Sequence, residues 1–190
     1  MTFLARPLTT ASAPDRERTD FYPTPPEVTH ALLDFLGLPA GTWIWEPACG
    51  EGHISRVLDS RGMRVLSTDL HDRGYGAPNN DFFERDGVLG RGWIITNPPF
   101  SRAEAFIRHA LTLGVPFAFL LKGQFWHAQK RRALFEEHRP AYVLPLTWRP
   151  DFLMGRKGGS PTMEAAWTVW GTAPAEFTQY VPLPRPEVTA

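Results

Sequence analysis

Apolar and polar residues follow one another along this chain in two recurring patterns. Six short runs dominated by apolar residues have the length and composition of buried strands, at 43–45, 64–68, 93–95, 116–121, 141–144 and 165–170. Between several of these runs, apolar residues recur every three or four positions, which is typical of amphipathic helices. Strands that alternate with helices form a mostly parallel sheet with helices on both faces, so the sequence predicts a doubly wound α/β fold.

Two predicted helix starts have the pattern of a capping box, in which Ser or Thr precedes Glu or Gln by three positions. Thr24 is predicted to cap the first helix, with Pro25 at its first position and Glu27 completing the box. Ser101 and Glu104 have the same spacing directly after the third predicted strand. Both helices are therefore expected to begin with a hydrogen bond between a side chain and the backbone.

Length and composition are those of a single domain with tails. The 190 residues are 43% hydrophobic and 21% charged, which is ordinary for a globular protein with its own core. We expect residues 1–19 to be a flexible tail, residues 20–171 to form the domain, and the Pro-rich residues 172–190 to be an extended or disordered tail. One cysteine, no secretory signal and only short apolar runs predict a cytoplasmic protein without a membrane partner.

The charges are unevenly distributed, although the formal net charge is zero. Residues 1–104 hold 10 Lys+Arg against 14 Asp+Glu, residues 105–163 hold 9 against 3, and residues 164–190 hold 1 against 3. The middle segment therefore carries a net charge of +6. Concentrated cations in an otherwise acidic chain favour a polyanionic partner, and a solvated helix face explains them equally well.

The turn after the first predicted strand has features of a nucleotide-binding turn. Gly50 and Gly52 stand between that strand and a helix, so the backbone can approach a ligand and the helix start offers free N–H groups. Asp69 lies 19 residues beyond Gly50, where an acidic residue commonly binds ribose hydroxyls. Ser55 replaces the third glycine of the dinucleotide-binding pattern. By itself this turn is a weak signal, and Asp69 alone could simply cap a turn.

The stretch Asn97-Pro98-Pro99-Phe100 lies between the third predicted strand and the helix that follows. Asn and Pro are common in turns for backbone reasons alone, so the stretch by itself has an ordinary explanation. Its position gives it another meaning, because open α/β sheets bind ligands beyond the carboxyl ends of their strands. The loops expected to share that edge are 46–53, 69–80, 96–101, 122–127 and 147–163.

Together these motifs resemble those of adenine-specific DNA N6-methyltransferases, above all the small phage and prophage members of that family. They occur in the family's order: Asp20-Phe21-Tyr22-Pro23-Thr24-Pro25, Glu46-Pro47-Ala48-Cys49-Gly50-Glu51-Gly52, Asp69, Asp81-Phe82 and Asn97-Pro98-Pro99-Phe100. The resemblance covers about residues 20–170. It implies a Rossmann-like class I methyltransferase fold, S-adenosylmethionine as cofactor and DNA as substrate.

The resemblance also implies which residues bind the cofactor. They are Tyr22, Pro23, Thr24, Glu46, Pro47, Ala48, Cys49, Gly50, Gly52, Asp69, Leu70, Asp81, Phe82 and Asn97. Within this set, residues 22–24 would hold the methionine end and Asp69 would accept from the ribose hydroxyls. Asp81 would accept from the adenine amine of the cofactor, with Phe82 beside it.

The implied catalytic residues are Asn97, Pro98, Pro99 and Phe100. An exocyclic amine is a poor nucleophile because its lone pair is delocalised into the ring. The side-chain oxygen of Asn97 and the backbone carbonyl of Pro98 are two acceptors that would direct this lone pair towards the sulfonium methyl group. Phe100 would stack on an adenine flipped out of the helix. This chemistry requires neither a metal nor a covalent nucleophile.

The sequence departs from the family pattern in two respects and leaves other functions open. It lacks the long target-recognition region of restriction-system relatives, and Phe100 stands where many relatives have Tyr. The same four-residue motif occurs in methyltransferases that modify RNA bases, such as guanine N2 of ribosomal RNA, and in protein glutamine methyltransferases. A catalytically silent nucleic-acid-binding relative is the alternative without enzyme activity. The missing third glycine disfavours a nicotinamide-dependent oxidoreductase.

The basic segment provides candidate contacts to DNA. We predict a DNA-facing wall that contains Lys122, Lys130, Arg131, Arg132, Arg149, Arg156 and Lys157. Three aromatic residues, Phe125, Trp126 and Trp148, are interleaved with these cations. Cations bind phosphates irrespective of sequence, whereas aromatic rings can stack on unpaired bases.

Overall fold

The computed structural model describes residues 20–85, 92–152, 163–171 and 173–187. Within these ranges the α-helices are α1 (Pro26–Leu36), α2 (His53–Ser60), α3 (Ala103–Thr112) and α4 (Arg132–Glu137). The strands are β1 (Trp43–Glu46), β2 (Arg64–Ser67), β3 (Trp93–Thr96), β4 (Phe117–Lys122), β5 (Tyr142–Pro145), β6 (Ala165–Trp170) and β7 (Gln179–Tyr180). None of the helices in this part of the chain is long and apolar enough to cross a membrane.

The seven strands form one sheet in the order β2-β1-β3-β4-β6-β5-β7. The first four strands in this order pair in parallel, and so do β5 and β7. Only β6 runs in the opposite direction, between β4 and β5. The carboxyl ends of β1 to β5 therefore lie at one edge of the sheet, as the sequence predicted.

Helices cover both faces of the sheet, and the side chains of β4 show how the faces are divided. Alternate residues of a strand point to opposite faces. Ala118 and Leu120 accordingly belong to the cluster that contains α1 and α2, whereas Phe117, Phe119 and Leu121 belong to the cluster with α3 and α4. All five residues are fully buried. The predicted doubly wound, Rossmann-like α/β fold is confirmed.

The predicted cap of α1 does not form. Pro25, not Thr24, occupies the position before the helix, and no side chain caps it. The Thr24 side chain is buried, and its hydroxyl accepts a hydrogen bond from the side-chain amide of Asn97. The Thr24 hydroxyl therefore bonds a residue far along the chain and not the backbone at the start of α1.

The second predicted cap is also wrong. A 3-10 turn, Phe100–Arg102, comes between β3 and α3, and no side chain caps α3. The backbone N–H of Ser101 donates to the carboxylate of Asp20 at 2.8 Å. Glu104 forms an ion pair with Arg108 instead of returning to the Ser101 backbone. Here too, tertiary contacts determine how the helix begins.

The C-terminal segment is part of the sheet, which corrects the predicted boundary at residue 171. β7 pairs with β5, and Leu183 forms a further bridge to Leu146. The Leu183 side chain is 2% exposed and belongs to the same hydrophobic cluster as α1. The segment that follows β6 is therefore extended, as one of the two predicted alternatives, and it contributes to the core.

Truncation of Leu183 tests this contribution. Leu183→Ala should lower the free energy of unfolding by about 2–5 kcal/mol, the usual cost of removing a buried leucine side chain. Phe177→Ala is the matched control, because Phe177 lies in the same segment but is 74% exposed. Urea unfolding measures both, and we expect the control to change stability by less than about 0.5 kcal/mol. Equal effects of the two changes would contradict a core role for the segment.

Candidate active site

A cleft opens at the carboxyl edge of the sheet, beyond the ends of β1, β2 and β3. It encloses about 1120 Å³ of space, part of which is open solvent at its mouth. Predicted site residues that line it are Tyr22, Pro23, Thr24, Glu46, Pro47, Ala48, Cys49, Asp69, Leu70, Asp81, Phe82, Asn97, Pro98 and Pro99. Motifs that are far apart in the sequence thus meet in one cleft.

The cleft has further lining residues that were not among the predicted site residues. Phe21, His53, Arg73 and Arg102 are among them. The Phe21 ring lies over the Gly50 turn, and the Arg73 guanidinium lies 4.6 Å from the centre of that ring. Phe21 precedes the predicted start of the first helix, and no capping pattern explains an aromatic residue there. This unexplained residue was the signal that could have revealed a ring over the Gly50 turn.

Gly50 and Gly52 both adopt backbone conformations that favour glycine, with φ of +55° and +82°. A Cβ atom on Gly50 would lie 2.2 Å from the Phe21 ring, and one on Gly52 would lie 2.5 Å from the Tyr75 ring. Only glycine fits at either position. In this structure the close approach that the glycines permit is made by aromatic rings of the chain itself.

Asp69 connects the end of β2 to the glycine turn. One carboxylate oxygen accepts from the backbone N–H of Gly50 at 2.8 Å, and the other accepts from that of His71 at 2.8 Å. The residue is 7% exposed and lines the cleft. A carboxylate oxygen can accept more than one hydrogen bond, so Asp69 can fix the turn and still bind a ligand hydroxyl.

Glu46 is a buried carboxyl group at the end of β1, where it is 1% exposed. The hydroxyl of Ser55 is hydrogen-bonded to it and lies 2.6 Å from the hydroxyl of Ser67. The pKa of Glu46 is raised to about 8, chiefly by burial, while the hydrogen bonds of Ser55 lower it and the charge of Asp69 makes a smaller upward contribution. The carboxyl group is therefore mostly protonated at neutral pH.

Phe82, Asp81 and Cys49 form other parts of the lining. Phe82 is 2% exposed and stacks on Phe106 with the ring centres 4.7 Å apart, so it supports the cleft from the core side. The Asp81 carboxylate accepts from the backbone N–H of Phe83 at 3.0 Å. Burial raises the pKa of the Cys49 thiol to about 12, so the thiol is a packing group in the lining and not a nucleophile.

The side-chain amide of Asn97 is held in one orientation at the end of β3. Its Nδ2 atom donates to the backbone carbonyl of Tyr22 at 3.2 Å and to the hydroxyl of Thr24 at 3.1 Å. The Oδ1 atom is buried and has no hydrogen-bond partner. Since a carbonyl can only accept, the nitrogen and not the oxygen must face Tyr22. A residue that lines the cleft therefore holds a buried, unpaired acceptor.

The ring of Phe100, three residues after Asn97, has two close neighbours. The Tyr22 ring centre is 5.1 Å away, and the Lys122 ammonium lies 3.9 Å from the centre of the Phe100 ring. Burial lowers the pKa of Lys122, an effect that the charge of Asp20 opposes. Lys122, which was predicted to belong to the DNA-facing wall, thus contacts the ring of Phe100, three residues after Asn97.

Arg131 differs from the prediction that it faces DNA. Its guanidinium donates to the backbone carbonyl of Phe125 at 2.7 Å and lies 4.0 Å from the centre of the Phe125 ring. It also approaches the Glu104 carboxylate to 3.4 Å, and its side chain is only 19% exposed. Arg131 therefore holds the segment after β4 against α3, so it is not available as a free phosphate contact.

The other predicted cations are more accessible. Lys130 is exposed, Arg132 pairs with Glu136 at 2.7 Å, and Arg149 pairs with Glu164 at 3.3 Å. The side chains of Arg132 and Arg149 are 73% and 59% exposed, so these pairs contribute little and can open. Arg156 and Lys157 lie outside the described residues.

Known protein sequences match only parts of the chain. No family model matches the chain. It is 30% identical to ribosomal RNA small subunit methyltransferase C of Chromohalobacter salexigens, over 47% of this chain and 33% of that protein. It is 46% identical to the S-adenosyl-L-methionine-dependent Diels-Alderase iccD of Talaromyces variabilis, over 22% of this chain and 14% of that protein. The chain thus spans a third or less of the length of these curated relatives.

Solved structures give a broader match. The methyltransferase subunit of a type I restriction-modification system from Streptococcus thermophilus superposes with a TM-score of 0.63 at 13% identity, over 85% of this chain and 47% of that one. A candidate class I S-adenosylmethionine-dependent methyltransferase from Listeria monocytogenes gives 0.54 at 14% identity, over 84% and 65%. The chain has the class I methyltransferase fold. A candidate RNA methyltransferase from Pyrococcus horikoshii has this fold too, with a TM-score of 0.59 at 15% identity over 79% and 86%.

The buried carboxyl group of Glu46 predicts how the stability of this methyltransferase fold depends on pH. An unfolded glutamate loses its proton near pH 4.5, whereas folded Glu46 keeps it up to about pH 8. The folded state therefore binds the extra proton in this window, and the stabilisation is lost as pH rises through it. Glu46→Gln, which cannot ionise, should reduce this loss of stability.

Urea unfolding at several pH values across the window measures the effect. Glu51→Gln removes an exposed carboxyl group from the same turn and is the matched control. If the parent protein and Glu46→Gln lose stability in parallel as pH rises, Glu46 is ionised in the folded state and the prediction is wrong.

Proposed function

We propose that this protein transfers a methyl group from S-adenosylmethionine to the N6 amine of adenine in DNA. The observation that carries the proposal is the buried, unpaired Oδ1 of Asn97. A buried polar atom without a partner costs about 1–3 kcal/mol, so such an atom in a cleft is expected to meet a ligand donor. The amide nitrogen is already bonded to Tyr22 and Thr24, so the oxygen is the atom that remains for the substrate.

The composition of the cleft fits the cofactor. Asp20, Asp69 and Asp81 line it beside the mostly protonated Glu46, and Arg73 and Arg102 line it too. The cleft therefore holds groups that can pair with both charge signs of a zwitterionic ligand. When bound, S-adenosylmethionine supplies a methyl group on a positively charged sulfur together with its own leaving group. Asp69 has acceptor capacity left for the ribose hydroxyls after bonding the backbone, and the glycine turn lies beside it.

The chain's own part in the reaction is to hold the target amine. Oδ1 of Asn97 and the carbonyl of Pro98 accept its two N–H bonds, and the fixed φ angles of Pro98 and Pro99 keep the turn rigid. The methyl group that this nitrogen receives would be supplied by the bound cofactor, while Asn97 and Pro98 hold the amine. An amide and a backbone carbonyl are not bases at neutral pH, so the methylated nitrogen releases its proton to water.

Phe100 and three exposed cations, which we call the outer cations, complete the binding of DNA. The flipped adenine stacks on Phe100 after Lys122 moves from the ring. Lys130, Arg132 and Arg149 are exposed cations on the elements that follow the ends of β4 and β5, and they contact phosphates. The segment 20–25 resembles the family members that act on DNA adenine, which supports DNA over RNA.

A second candidate is methylation of an exocyclic amine in ribosomal RNA. The match to ribosomal RNA small subunit methyltransferase C favours it. The guanine N2 amine, like adenine N6, offers two N–H bonds to a pair of acceptors, so the arrangement at Asn97 fits both bases. Substrate competition decides between them.

Methyl transfer from labelled S-adenosylmethionine tests the proposal directly. Label should enter DNA as N6-methyladenine and should not enter ribosomal RNA or protein. Asn97→Ala should reduce the rate by about two to three orders of magnitude, because a preorganised acceptor is removed. Phe100→Tyr should retain most of the rate and Phe100→Ala little of it, since stacking requires a ring. Label recovered as N2-methylguanine in RNA would replace the proposal with the second candidate.

A salt titration of DNA binding tests the outer cations. Lys130→Glu and Arg132→Glu should each weaken binding and reduce the log–log salt slope by about 0.9 for each phosphate that the variant no longer binds. Arg61→Glu is the control with the same charge change, because Arg61 follows the far end of α2 and pairs with Asp34. Fluorescence anisotropy over a salt series measures all three variants. A slope equal to that of the parent protein in both test variants would place the DNA-binding surface elsewhere.

A further inference from the structure

The hydroxyl of Thr24 is used in an unexpected way. A threonine at the N-cap can stabilise a helix by about 0.5–2 kcal/mol, yet Pro25 occupies the N-cap of α1 and Thr24 lies one residue before it. Its side chain is 2% exposed, and Oγ1 accepts from Nδ2 of Asn97, a residue 73 positions away. This position of the hydroxyl therefore serves Asn97 and not the start of α1.

The segment before α1 sets the direction of the Asn97 amide. One amide proton goes to the hydroxyl of Thr24 and the other to the carbonyl of Tyr22. Turning the amide over would place Oδ1 against the Tyr22 carbonyl oxygen, and two acceptors repel each other at that distance. The Tyr22 carbonyl thus places Nδ2 and not Oδ1 on the side of this segment, and the Thr24 hydroxyl, which accepts the other amide proton, holds the amide in that orientation.

The segment that contains Thr24 is itself held in place by contacts before and after Thr24. The Asp20 carboxylate accepts from the backbone N–H of Ser101 at 2.8 Å, and the Tyr22 ring packs against the Phe100 ring. Thr24 is followed by α1, whose residues are buried in the core. The hydroxyl is therefore fixed relative to the catalytic turn by contacts that do not involve Asn97.

We infer that Thr24 is a positioning residue, which orients the Asn97 amide so that Oδ1 accepts from the target amine. This inference rests on the proposed function of Asn97. It differs from the role that the family resemblance implies for Thr24, which is to hold the methionine end of the cofactor. The two roles predict different kinetic effects, because one acts on the target amine and the other on cofactor binding.

Two substitutions separate these roles. Thr24→Val keeps the shape of the side chain and removes the acceptor, whereas Thr24→Ser keeps the hydroxyl. An amide N–H left without its buried partner predicts a fall in kcat of about 10- to 100-fold for Thr24→Val. The KM for DNA and the Kd for S-adenosylmethionine should change by less than about twofold, since neither ligand is bound by the Thr24 hydroxyl. Thr24→Ser should restore most of kcat.

A double-mutant cycle then shows whether Thr24 acts through Asn97. Thr24→Val should have no further effect on kcat in the Asn97→Ala background, because the group that it orients is gone. A further fall by the same factor would mean that Thr24 acts independently and would overturn the inference. A raised Kd for the cofactor with kcat unchanged would overturn it in favour of the cofactor role.

The parent protein and one spectroscopic measurement keep the two proposals distinct. If the parent protein transfers no methyl group to DNA or RNA, the proposed function fails. If the parent protein is active and Thr24→Val matches it in kcat, only the role of Thr24 fails.

The side-chain amide resonances of Asn97 in the cofactor-free protein report the orientation of the amide without any activity. Thr24→Val should shift both proton resonances and speed their exchange, and unchanged resonances would overturn the inference.

Discussion

The parallel pairing of β1, β2, β3 and β4 is the constraint on which the candidate site depends. Parallel neighbours place their carboxyl ends at the same edge of the sheet, so the residues that follow each strand meet there. Such strand ends, or the two residues after them, are occupied by Glu46, Asp69, Asn97 and Lys122. Their polar groups are brought together by strand pairing and not by attraction between one another, which explains how three acidic or amide groups can share one partly buried region.

This arrangement also determines what could be predicted from the sequence. The apolar runs indicated each strand from β1 to β6, because burial of both sheet faces leaves a clear pattern. Strand β7 has only two residues, both exposed, so hydrophobic pattern carries no signal for it. The glycine turn and Asn97 could be placed at the sheet edge from their position after strands. The orientation of the Asn97 amide could not, since it depends on contacts with residues more than 70 positions earlier.

Thr24 and Arg131 show why local patterns failed at particular residues. A capping box describes a preference of about 1 kcal/mol, and a buried hydrogen bond to an amide is of similar size, so tertiary structure decides between them. A run of cations likewise does not indicate which members face solvent. Arg131 follows Phe125 closely enough to lie on its ring and bond its carbonyl, whereas Arg132, one residue later, is exposed.

In the proposed function, the contact between Lys122 and Phe100 links the binding of a base to charge. An ammonium over an aromatic ring is worth about 0.5–2 kcal/mol, and a base stacked on a ring is worth about 1–3 kcal/mol. A base that takes the place of the ammonium therefore gains little from stacking alone. In the proposed complex, however, the displaced ammonium lies beside a polyanion, where it is solvated or paired with phosphate instead of half-buried. The balance favours a base attached to a nucleic acid strand over a free base, because only the strand provides the phosphate that receives the displaced charge.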